Sequence, residues 1–172
     1  DHLALHRLRL AAAIPHMGDG TVFARESAAV IHGLPLFHPD LDRVHYLHTR
    51  GGNGQLRSRV RALKTPKVPP NTTIIEGFPL TTLARTAADL MRRHYFKPAL
   101  AVADAALRLG VPRGLLLAEV KGGRGCRHAT EAALRADPRS ESPYESLVRG
   151  LILQEGVPMP ELQVSLYDAE GF

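Results

Sequence analysis

Tryptophan is absent from the 172 residues, cysteine occurs once, and aromatic residues fill only 5% of positions. The lone cysteine, Cys126, excludes an internal disulfide and any cysteine-rich zinc module, and it fits a reducing compartment. So few aromatics argue against a single-strand binder built on stacking platforms. No apolar run approaches the roughly 18 residues of a membrane span, and the first residues do not form a signal peptide. The expectation is therefore a cytoplasmic chain with no membrane partner. Hydrophobic and charged fractions of 44% and 23% exclude wholesale disorder. The length suits one domain with a core, or one domain plus part of another.

Acidic residues are missing altogether from positions 43 to 75. That window holds Arg43, Arg50, Arg57, Arg59, Arg61, Lys64 and Lys67, a charge of +7. The other residues carry 15 bases against 17 acids, so the formal +5 of the chain is a nearly neutral body with one basic stretch. Arg57, Arg59 and Arg61 recur at period two, so on a strand they share one face and can follow a phosphate backbone. Such a surface implies nonspecific, electrostatic affinity for DNA and reads no base sequence.

Hydrophobic periodicity predicts a helix over 3–13 that lacks a capping residue beyond Asp1 and reads as one whose upstream context has been removed. A short helix over 24–31 ends at Gly33, with Pro35 beyond it. Alternation over 43–49 predicts a strand running into Gly51, Gly52 and Gly54, and strands are expected over 55–63 and 72–75, before a turn at 76–79. Helices follow over 80–94, 97–109, 112–120 and 127–136, the last two divided by a glycine-rich 121–125. Ser142, Pro143 and Glu145 form a capping box with a proline start and open a helix over 140–156. A strand over 162–167 and a turn at 168–171 then end the chain without a partner strand. That ending reads as a fragment, since a finished domain rarely leaves such an edge. The fold class expected is α/β (α+β): a small mixed sheet at 43–76, a helical region, then a further helix and strand.

Nine histidines invite a metal site. His45 and His48 fall on opposite strand faces, His32 and His38 bracket a turn, and His2 and His6 stand at i, i+4 with no third ligand at a fixed offset. Surface and capping histidines are the expectation, and metal ligands none. Neither glycine-rich segment has a phosphate-loop pattern. Cys126, beside Arg124, Arg127 and His128, lacks a visible partner for nucleophilic chemistry. Glu145 and Arg149 share a helix face as an i, i+4 pair, and Asp89 with Arg85 and Asp104 with Arg108 read as further helix-surface pairs.

Four phrases occur in order: ESAAVIHGLP at 26–35, GFPLTTLARTAAD at 77–89, DAALR at 104–108 and ADPRSESPYE at 136–145. Together they resemble actinobacterial proteins that carry an AbiEi-type antitoxin domain and a C-terminal domain like the very-short-patch-repair (Vsr) endonucleases. The resemblance reaches over residues 8–172. It implies an AbiEi-like central α/β domain over 1–136 and, over 140–172, the N-terminal fragment of a Vsr-like domain of restriction-endonuclease fold. It also implies a winged helix before residue 1, motif acids beyond Phe172, and Glu145 as the one remaining, vestigial catalytic carboxylate. A nuclease of this class needs its partner acids to hold a divalent metal, so this chain is expected to be non-catalytic, with no cofactor; Mg2+ would enter only with a complete nuclease domain.

The leading expectation is thus a DNA-associated regulatory or defence protein of AbiEi type, with a cognate toxin as its implied protein partner. One alternative is a protein-interaction module whose 80–136 helices dock a toxin or a second copy. The other is a metal-dependent DNA endonuclease, should the full-length protein continue past Phe172.

Overall fold

In the computed structural model, residues 1–48, 60–64, 71–122, 125–159 and 161–165 are described. Helix α1 (His2–Ala13) opens with Asp1, whose side chain accepts from the Leu3 N–H and so satisfies one of the free donors of the first turn. A single 3-10 turn (Ile14–His16) follows it. Strand β1 (Val22–Phe23) leads into α2 (Arg25–His32), which ends on Gly33 in the left-handed conformation. Next come β2 (Val44–His48), β3 (Val60–Lys64), β4 (Thr72–Ile75) and β5 (Phe78–Thr81). The rest is helical: α3 (Leu83–Met91), α4 (Phe96–Arg108), α5 (Arg113–Val120), α6 (Cys126–Arg135) and α7 (Pro143–Glu155).

The strands form one mixed sheet in the order β3-β2-β1-β5-β4. β1 runs parallel to β5 with Phe23 opposite Leu80, and antiparallel to β2 with Val22 opposite Leu47. β4 and β5 make an antiparallel hairpin, while β2 and β3 are parallel with Val44 opposite Val60. The α/β class expected from the sequence is the class observed.

Several boundaries differ from the sequence reading. The sheet reaches from residue 22 to residue 81, wider than 43–76, because β1 and β5 belong to it. β1 has two residues, too few to show alternation, and β5 contains Pro79, which reads as a turn or breaker. Leu80 and Thr81 are therefore strand, and α3 starts after its cap, Thr82. Of the strand expected over 55–63, residues 55–59 lie outside the described residues and the observed strand runs on to Lys64. Residues 162–165 are irregular, and 166–171 lie outside the described residues. No strand among the described residues pairs with that segment, and an isolated strand has no ladder to satisfy its backbone groups.

Among the described residues three buried clusters hold the chain together, the smallest being Val22, Ala24 and Leu47 between β1 and β2. Leu10 of α1, Ala28 and Ile31 of α2, and Phe23, Val44 and Leu80 of the sheet make another. The largest joins α3–α6 and is rich in alanine, including Ala87, Ala99, Ala103 and Ala132, which lets helix backbones approach closely.

α7 packs on α4, and a buried ion pair marks the contact. Arg149 Nη1 donates to Asp104 Oδ2 at 2.5 Å, its Nη2 donates to the Arg135 carbonyl, and the Asp137 N–H donates to Asp104 Oδ1 at 2.7 Å. The two surface pairs expected here are therefore corrected. Asp104 is on the inner face of α4 and turns to Arg149, while Arg108 donates to the Ser140 carbonyl. Arg149 likewise leaves Glu145. The Asp89–Arg85 pair forms as expected at 2.9 Å, and Arg92 joins it.

Candidate nucleic-acid interface

The basic stretch begins at a turn that α1 holds in place. Arg9 Nη1 donates to the Leu41 carbonyl at 2.8 Å and to Asp42 Oδ1 at 3.2 Å, and the His6 ring meets the same carbonyl at 2.8 Å. Arg43 follows directly, half-exposed, with Asp40 at 3.5 Å. From there β2 passes beneath α2, where the His45 N–H donates to Ser27 Oγ at 2.9 Å.

His6, Ser27, His45 and Glu26 form a buried polar set that the expectation of surface histidines missed. A carbonyl can only accept, so His6 Nδ1 carries the proton that meets Leu41. In the neutral ring Nε2 is then an acceptor, and Ser27 Oγ–H donates to it over 3.1 Å. Each valence of Ser27 Oγ used here has a partner: it accepts from His45 and donates to His6. Glu26 lies 3.2 Å from His45 Nδ1 and 3.5 Å from Arg93. A serine beside a histidine has the outline of a nucleophile, but this pair is sealed from solvent and satisfied, so it ties α1, α2 and β2 together. The signal for it was present in the sequence: His6 and Leu10, at i, i+4, are the two buried residues of α1.

Burial lowers the pKa of His6, opposed by its bond to Leu41 and by Glu26 and Asp40, while Arg9 adds to the lowering. Burial also lowers His32, whose ring meets the Thr81 carbonyl at 2.8 Å, and His94, where Arg93 contributes. With folded pKa values below the unfolded value of about 6.5, the unfolded chain binds more protons just below that pH. Stability is therefore expected to be full above pH 6.5 and to fall as the pH drops, by up to about 1.4 kcal/mol per pH unit for each excluded proton. Urea unfolding at pH 7.5 and 5.5 measures this, and His6→Gln should flatten the dependence; an unchanged slope would remove His6 from the account.

The remaining basic residues are only partly placed. Arg61 and Lys64 lie on β3, an outer strand of the sheet, where they pair in register with His45 and His48. Arg50, Arg57, Arg59 and Lys67 lie outside the described residues, as does most of the period-two pattern.

Glu145 is placed in the first turn of α7. Its N–H donates to Ser142 Oγ at 3.1 Å, and its Oε2 accepts from the Glu141 N–H at 3.0 Å and from Gln163 Nε2 at 3.3 Å. The capping box thus forms with its return bond shifted one residue outward, and the carboxylate is engaged in closing the start of α7. Among the described residues no group of three or more His, Cys, Asp or Glu side chains is placed to hold a metal ion. Nor is any described helix long and apolar enough to cross a membrane.

Comparison with known proteins finds two uncharacterized proteins of Mycobacterium tuberculosis, MT2308 of strain CDC 1551 and Rv2248 of strain H37Rv. Each is 31% identical over 167 residues, which is 95% of this chain and 60% of the relative. The chain thus spans about 60% of the length of the curated relatives it matches. No protein-family profile matches the chain, and no solved structure matches it.

Proposed function

We propose that this chain is a non-catalytic, DNA-associated regulatory or defence protein of the AbiEi-antitoxin kind, working in the cytoplasm, whose 43–67 segment meets the phosphate backbone. The observation that carries this reading is the segregation of charge: seven bases and no acid over 43–75, against a net −2 elsewhere. A run this one-sided raises the local potential far above what a mixed surface produces, and duplex DNA is its natural counterpart. Support also comes from the position of β3 at one end of the strand order, which keeps two of the bases at a margin of the sheet. The engagement of Glu145 in the α7 cap favours a non-catalytic role.

Counterion release gives the test. Neutralising six or seven phosphates should cost about a thousandfold or more in affinity between 50 and 200 mM salt. Titration of two unrelated duplexes should give equal affinities, because backbone contacts carry no base information. The combined variant Arg57→Ala, Arg59→Ala, Arg61→Ala should lose nearly half of the salt slope. Absence of binding at 50 mM salt would end the proposal, and an unaltered variant would move the contact surface elsewhere.

A further inference from the structure

Helix α7 carries its apolar side outward. The face packed on the body consists of Ser146, Arg149, Gly150 and Leu153, of which only Leu153 is a large apolar side chain. Gly150 brings the two backbones close, since a Cβ there would stand 2.9 Å from Lys97 Cγ of α4. The opposite face holds Tyr144, Leu147, Val148, Leu151 and Ile152, the i, i+3, i+4, i+7, i+8 pattern with which helices usually meet a core. Tyr144 is 80% exposed, Val148 56% and Leu151 47%. Val157 and Met159 extend the exposed apolar surface past the helix end. Scattered exposed leucines are ordinary, but a complete core-type stripe on one helix is a contact surface.

The charge around the stripe selects its occupant. From residue 140 to residue 165 the acids are Glu141, Glu145, Glu155 and Glu161, and the one base is Arg149. Arg149 is buried against Asp104, so every exposed charge in this stretch is negative. Nucleic acid and anionic lipid are repelled by such a rim. A second copy in two-fold antiparallel pairing would bring the Glu145 end of one helix against the Glu155 end of the other. We propose that the outer face of α7 docks a cationic amphipathic helix of a partner protein, its apolar side on Tyr144, Val148 and Leu151 and its bases against the glutamates. In sequence this helix lies far from the basic 43–67 stretch, so the chain would offer one segment to a polyanion and another to a basic protein.

A synthetic peptide of about 18 residues with leucines at i, i+3, i+4 and i+7 and lysines elsewhere serves as the probe. Fluorescence anisotropy with the purified chain should show at least about tenfold tighter binding than to a scrambled peptide of the same composition or to its glutamate counterpart. Leu151→Asp should cost at least about tenfold in affinity. Tyr144→Ser, at the most exposed position, is the second variant should the first disturb folding. Circular dichroism should show both melting like the parent, since neither side chain is in the core. Equal affinity for the amphipathic and scrambled lysine peptides would overturn the proposal, because charge alone would then explain binding. So would full affinity in both variants. A dimer by sedimentation, or binding to phosphatidylcholine vesicles, that Leu151→Asp abolishes would assign the stripe to self-association or to a bilayer and would equally overturn it.

Discussion

Asp104→Ala is expected to destabilise the chain by about 3–5 kcal/mol, because it leaves the Arg149 guanidinium buried without its counter-charge. Asp104 is fully buried and Arg149 is 6% exposed, so water cannot replace the lost partner. Arginine does not shed its proton, and the Arg135 carbonyl alone would remain to meet it. A loss of that size is a large share of the roughly 5–15 kcal/mol that stabilises a domain. Arg149→Ala should be nearly as costly at pH 7, but its penalty depends on pH. Burial already pushes the Asp104 carboxyl upward against the Asp137 N–H, the Ser146 hydroxyl and Arg149, and removing Arg149 pushes it further. A raised folded pKa means that the folded state takes the proton first, so the Arg149→Ala penalty relative to the parent should shrink as the pH falls from 7 to 5. The double variant should be less unstable than the two singles added together. Urea unfolding of all four proteins checks each point. Single-variant losses under about 1 kcal/mol would mean that the pair is solvated, and additivity would mean that the two charges do not interact.

Gly125→Ala should cost about 3 kcal/mol or more, and Gly122→Ala only about 1–2. Both glycines have φ of +80°, so the left-handed strain of an added side chain is the same at the two sites. Their surroundings differ. Among the described residues a Cβ at Gly122 meets nothing within 4 Å, whereas at Gly125 it would overlap the Arg92 carbonyl oxygen. That carbonyl is backbone at the end of α3, and Arg92 is itself anchored, its Nη1 donating to the Glu119 carbonyl at 2.7 Å and its Nη2 bonded to Asp89. Neither side of the overlap can yield cheaply, so α6 would have to shift away from α3. Thermal melting of the two variants separates strain from collision. Equal losses would show that the α6 junction relaxes freely.

What the sequence made legible follows from how local each signal is. Ser142 with Glu145, Gly33 after α2 and the β-branched 72–75 strand all announce themselves within four residues, and each is where the pattern places it. β5 was hidden because Pro79 mimics a turn and Thr81 runs directly into a capping residue. Asp104 was misread for the opposite reason. Arg108 stood four residues away at helical spacing, while the true partner is 45 residues distant and on another helix. His6 was assigned to the surface because a polar ring on a helix has many solvated precedents. Its burial is made possible by two distant partners, the Leu41 carbonyl 35 residues on and the Ser27 hydroxyl 21 residues on.

By itself, then, the sequence determined the helix and strand segments with strong caps, the α/β class, and the separation of seven bases from every acid. Those are properties of neighbouring residues and survive any arrangement of the chain. Tertiary structure alone decided which face of each element turned inward: that α7 buries an arginine and a glycine and presents Tyr144, Val148 and Leu151, and that β1 enters the middle of the sheet. Periodicity marks the faces of a helix, but burial is settled by what the rest of the chain can offer each face. Here α4 offered Asp104, a charge that only the polar side of α7 could satisfy.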